Sequence, residues 1–108
     1  MQGIIRQGDV LIVPTTNIPD NARPVARENG RLVLAHGEAT GHAHAIVEEH
    51  AELVTADQAN QLFLLVHGTT VDLVHDEHTT LTIHPGTYQV IRQREYTSAD
   101  MPPLQVAD

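Results

Sequence analysis

The chain has 108 residues, a formal charge of −8, eight histidines and no cysteine. This length makes one domain with a small core. Without cysteine there are no disulfides and no sulfur redox chemistry. An acidic surface argues against a nucleic-acid backbone or an anionic membrane as partner.

The composition removes further mechanisms. All six cations are Arg, so there is no lysine for a Schiff base or a phosphate loop. Ser98 is the one serine and lies in a polar segment, so a serine or cysteine hydrolase is excluded. Phe63, Tyr88 and Tyr96 are the only aromatics, which leaves the core to Val, Leu and Ile. No apolar stretch approaches the ~18 residues of a membrane span. Met1–Arg6 lacks a basic region followed by a long apolar run, so no signal peptide is expected, and the cytoplasm is the expected location. An enzyme of this composition must use a metal-bound water or a carboxylate/His acid–base pair.

Taken in chain order, short β-rich runs alternate with turns. Gly8-Asp9 precedes Val10–Val13, which stops at Pro14. Asn29-Gly30 is a hairpin signal that would join Pro24–Glu28 to Arg31–Ala35. Runs follow at 42–47, 51–55, 62–66, 70–75, 80–83 and 87–92, punctuated by Gly68 and Pro85-Gly86. Residues 55–60 suggest one helical turn capped by Thr55. The expected fold is all-β, a small barrel or sandwich with at most one short helical turn. Residues 1–100 would form the single domain and 101–108, with Pro102-Pro103, a peripheral tail.

Side chains alternate faces along a strand, so His42, His44 and Ile46 share one face and Ala43, Ala45 and Val47 the other. Two imidazoles at i and i+2 reach one ion, and neutral imidazole is the commonest metal ligand. His75 continues the apolar face of Val71 and Leu73 and should point inward, as a ligand or as a hydrogen-bonded core residue. His78 lies three residues on; a turn through Asp76-Glu77 would fold His78 or Glu77 back toward the same place. His50 and His84 read as solvated, and His36 and His67 as core or rim residues. The metal candidates are therefore His42, His44, His75 and His78. Three His plus water make a catalytic zinc and four ligands a structural one. Zinc is the expected cofactor, with Fe, Ni, Mn and Cu open. Glu38, Glu77 and Glu95 are the expected carboxylates to orient the rings, with Glu77 or Glu38 as proton shuttle.

The run Tyr88–Tyr96 puts Tyr88, Val90, Arg92, Arg94 and Tyr96 on one face. It reads either as an exposed amphipathic edge strand with ion pairs, or as an Arg flanked by tyrosines, with Arg94 taking an anionic or carbonyl substrate near the metal.

His42-x-His44 followed by Glu48 resembles the first motif of the cupins, small β-barrels that hold Fe, Mn, Ni or Zn. In the second cupin region, Pro85 and Gly86 are adjacent and Gln89 stands where the family has a His. Cupin likeness here implies architecture rather than function. Over nearly its whole length the chain is also similar to a group of small bacterial and phage proteins with no assigned activity. The shared pattern is Gln7-Gly8-Asp9-Val10-Leu11, Thr40-Gly41-His42-Ala43-His44, His75-x-Glu77-His78, Pro85-Gly86-Thr87-Tyr88 and Gln93-Arg94-Glu95-Tyr96. That resemblance implies only that the four histidines belong together.

Three functions are compatible with these residues. The first is a small metalloenzyme that hydrates or hydrolyses a small-molecule substrate with a metal-bound water, for which a carbonic-anhydrase-like hydration is one form. The second is a metal module without chemistry, structural or sensing. The third is a β-rich interaction or assembly domain without metal. Closing a β-edge against a second copy would help so small a fold, so a homo-oligomer is expected.

Overall fold

Alternation of apolar and polar side chains over short runs, broken by Gly, Pro and Asn, produces strands. The computed structural model describes residues 3–36, 43–56 and 61–92. Among these there is no helix, and so none long and apolar enough to cross a membrane. Ten strands run in chain order among the described residues: β1 Ile5–Gln7, β2 Val10–Pro14, β3 Arg23–Pro24, β4 Leu32–His36, β5 Ala43–Ile46, β6 Ala51–Ala56, β7 Gln61–Val66, β8 Val71–His75, β9 His78–Ile83 and β10 Gly86–Arg92.

The strands form two antiparallel sheets, β1-β2-β10-β7-β6-β3 and β4-β5-β8-β9. One apolar cluster lies between them. The larger sheet contributes Val10, Ile12, Leu53, Leu64, Val66, Tyr88 and Val90, and the smaller one Leu32, Leu34, Ile46, Val71, Leu73 and Ile83. Burying each of the large aliphatic side chains contributes roughly 1.5–3 kcal/mol. The all-β fold expected from the strand pattern is therefore the observed one.

Two local expectations change, and a third falls largely outside the described residues. Thr55 belongs to β6 and pairs with Leu62 of β7, and residues 57–60, where most of the helical turn was expected, lie outside the described residues. Asn29 and Gly30 do turn with positive φ, 54° and 80°, as a two-residue hairpin turn requires. Only Glu28 and Arg31 pair across that turn, however, and the segment before it joins the other sheet, where Arg23 and Pro24 pair with Thr55 and Val54. Finally, Tyr88–Arg92 is not an edge strand. β10 sits between β2 and β7, with Tyr88 and Val90 in the core. Its apolar positions find partners on both neighbours, and burial takes precedence over the polar residues that follow. Tyr96 and the tail 101–108 lie outside the described residues.

Both register shifts in the smaller sheet fall beside histidines. Between β4 and β5, Val33 pairs with Ala45 and Ala35 with His44, which leaves Leu34 as an extra residue. Between β8 and β9, Leu73 pairs with Leu81 and His75 with His78, so two steps on β8 face three on β9. Bulges of this kind re-aim side chains and leave ladder groups to be satisfied from elsewhere.

Candidate functional site

The site begins with alternation. β8 reads buried, exposed, buried, exposed, buried from Val71 to His75, so His75 points inward as its apolar face requires. The Asp76-Glu77 turn then brings His78 directly opposite His75. On the neighbouring strand, His44 shares the inner face with Ile46 and is 3% exposed. The ring centroids are 4.3 Å apart for His44 and His75, 4.7 Å for His75 and His78, and 5.8 Å for His44 and His78. Three strands thus bring three imidazoles together.

Gln7 organises the cluster. Its Nε2 donates to the carbonyls of Leu73 and Thr79, both at 2.9 Å. These carbonyls belong to the bulged part of the β8–β9 pair, so the side chain replaces ladder bonds that the bulge removes. With Nε2 committed to two acceptors, Oε1 is necessarily the atom that meets His44 Nδ1 at 2.8 Å. The Nδ1–H of His44 therefore donates to Gln7, and Nε2 carries the lone pair of the neutral ring. Burial first, and the neighbouring His75 second, lower the His44 pKa from 6.5 to about 4, against the opposing pull of Asp9. At neutral pH the ring is uncharged, the form that can ligate a metal.

The β1–β2 turn forms the third wall. Gly8 has φ +59°, and a Cβ there would lie 2.8 Å from His78 Nε2 and 3.2 Å from His44 Cε1. Only glycine lets the backbone approach both rings so closely. The next residue, Asp9, places Oδ1 at 3.8 Å from His44 Nε2. Its Oδ2 accepts from both Nε and Nη2 of Arg92, at 3.0 and 2.8 Å. Burial pushes the Asp9 carboxyl up, but the Arg92 hydrogen bonds and charge outweigh it and hold the carboxyl below its usual value.

Of the residues expected from sequence, His44, His75 and His78 are brought together. His42, Glu38, Glu95 and Arg94 lie outside the described residues. Glu77 is in the turn, and its backbone N–H donates to His75 Nδ1 at 3.0 Å. The orienting acceptor of His44 is an amide, Gln7, where a carboxylate was expected. Among the described residues, no group of three or more His, Asp or Glu side chains is placed, as it stands, so that it could hold a metal ion. Glu48, the acidic member of the cupin-like motif, turns the other way and accepts from the Asp72 backbone N–H at 3.1 Å. Asp72 sits near the start of β8, whereas His75 ends it.

The other histidines are placed elsewhere. His84 is exposed, as expected. His50 is tied to the Thr70 carbonyl at 3.0 Å rather than solvated. His36 and His67 are exposed and face Glu28 at 3.3 Å and Glu52 at 2.8 Å.

The sequence reading missed Gln7, Asp9 and Arg92 as site residues. The signal for Gln7 was a polar side chain on the same strand face as Ile5, and the signal for Asp9 was a glycine immediately before it.

The fold and site define a class: a two-sheet antiparallel β domain with an imidazole cluster at one end of its core. Residues 6–93 match the family described as Domain of unknown function (DUF8820), and the chain belongs to that family. No curated protein and no solved structure matches it. The match spans Gln7, Asp9, His44, His75, His78 and Arg92, so the whole described cluster lies within the family domain.

Proposed function

We propose that this protein binds one divalent metal ion, zinc by preference, at the imidazole cluster, and that a metal-bound water there hydrates or hydrolyses a small substrate. The observation that supports this reading most is the Gln7–His44 arrangement: a buried, neutral imidazole, fixed in the tautomer that leaves Nε2 as donor, beside two further imidazoles. Orienting the far ring nitrogen of a ligating His is the usual task of its hydrogen-bond partner. A bound ion would lower the pKa of its water toward ~7 and supply hydroxide at neutral pH. His42, two residues before His44, is the fourth imidazole of this proposal.

One observation favours a second reading, a metal-binding module without chemistry. A cavity of about 620 Å³ is lined by Pro14, Thr15, His84, Pro85, Gly86, Thr87 and Tyr88. It lies at the start of β10, whereas Arg92 and the imidazoles lie at its end, about 20 Å away along the strand. A substrate pocket at the metal is thus the feature that separates the two readings.

The test is elemental analysis of the untagged protein beside a His42→Ala/His44→Ala double variant. One equivalent of metal in the wild type, lost in the variant, is the expected result. A metal-free protein after reconstitution would overturn both metal readings and turn the search toward partners.

A further inference from the structure

The contact between His44 and Asp9 has the wrong polarity for an ordinary hydrogen bond. Gln7 Oε1 accepts the hydrogen bond from His44 Nδ1–H, so the neutral ring turns its Nε2 lone pair toward a carboxylate oxygen 3.8 Å away. Two acceptors facing one another at that distance can share a cation between them. Arg92 does not fill that place, because both of its contacts are to the other oxygen, Oδ2. Zinc takes imidazole nitrogen and carboxylate oxygen at about 2.0–2.2 Å, which places tetrahedral donors about 3.4 Å apart. The observed separation lies within half an ångström of that.

His78 stands on the same side. Its Nε2 lies against Gly8, the residue immediately before Asp9, and so does the Cε1 edge of His44. His75 is placed differently. Its Nδ1 accepts from the Glu77 N–H, which leaves the proton of its neutral ring on Nε2 and neither nitrogen as a ready donor to an ion.

We infer that a bound metal draws together a mixed donor set, Asp9 Oδ1 with the Nε2 atoms of His44 and His78, and that His75 packs against this set without ligating. This rests on the metal-binding reading above. Arg92 is a positioning residue: it grips Oδ2 and leaves Oδ1 toward the ion, so the carboxylate binds through one oxygen. A nitrogen and oxygen donor set suits zinc, and equally Fe(II) and Mn(II), better than a soft metal.

The test is zinc titration of the full-length apo protein, by competition with a chromophoric chelator, for the wild type, Asp9→Asn, His75→Asn and Arg92→Gln. Asp9→Asn is expected to weaken zinc by more than 100-fold. Arg92→Gln should weaken it 10- to 100-fold, as loss of an orienting partner does. His75→Asn should stay within fivefold. A long-range ¹H–¹⁵N spectrum of the unmodified zinc-loaded chain needs no variant: the Nε2 resonances of His44 and His78 should move to ligated positions and His75 should not. Tight zinc binding in Asp9→Asn, or a ligated His75 nitrogen, would overturn the mixed set while leaving the metal reading in place. A wild type that binds no zinc would overturn both.

Discussion

The two ends of β10 differ in almost every respect. At the Arg92 end, charged and ionisable side chains lie in or beside the core, and each is held by a specific partner: His44 by Gln7, Asp9 by Arg92, His75 by the Glu77 backbone. At the Gly86 end an open cavity is lined mainly by Pro, Gly, Thr and Tyr, and its one buried hydroxyl, on Tyr88, donates to the His84 carbonyl at 2.6 Å. This open cavity is at one end and the organised chemistry at the other. Pocket size alone would therefore point away from the imidazoles, because an ion, were one bound, needs donors and not volume.

The largest effect should come from breaking the order at the Arg92 end. Gln7→Leu removes the partners of two carbonyls and one imidazole N–H, all in or at the edge of the core. At 1–3 kcal/mol for each orphaned group, the expected loss is about 4 kcal/mol in chemical denaturation. A loss below 1 kcal/mol would show that Gln7 does not organise the cluster.

Proton uptake should separate the two ends next. The folded His44 pKa of about 4 lies below the unfolded 6.5, so between these values the unfolded chain carries the extra proton. Stability from this group is complete above pH 6.5, falls as pH drops toward 4, and loses nothing more below that. At 1.36 kcal/mol per unit, the apo protein should lose about 3 kcal/mol over this window. His44→Gln should flatten the profile; an unchanged slope would remove His44 as its source.

Gly8→Ala tests the close approach of the β1–β2 turn. The left-handed backbone costs about 1–2 kcal/mol, and the new methyl must also displace His78. Gly30→Ala is the matched control, with φ +80° and nothing within 4 Å of the added carbon. Gly8→Ala should be the more damaging of the two in thermal melts and should weaken zinc, whereas Gly30→Ala should not change zinc affinity.

The smallest effect belongs to the cavity end. Tyr88→Phe removes one hydrogen bond and should cost about 1 kcal/mol, with zinc affinity unchanged. A change in zinc affinity would mean that the two ends communicate along β10.

Much of this was legible in residues that are close in sequence. Alternation over Val71, Leu73 and His75 put His75 inside, and the two residues between His75 and His78 called for a turn that returns His78 or Glu77 to it. The strand boundaries from β4 to β10 followed the apolar runs within a residue or two. What escaped the reading depends on partners far away in the chain. Gln7 and Leu73 are 66 residues apart, and Asp9 and Arg92 are 83 apart. The Asn29-Gly30 turn was correctly placed, yet the strand before it pairs in the other sheet, since a turn fixes local geometry and not the partner of its flanks.

By itself, then, the sequence determined an all-β domain, the chemistry it lacks, and histidines on inward strand faces, because hydrophobic periodicity and composition are local properties. Only the tertiary structure decided that β10 is central, that Glu48 turns away from the imidazoles, and that an amide and an Arg-held carboxylate stand beside them. Those choices depend on which strands become neighbours and where the bulges fall, and no single segment of the chain contains that information.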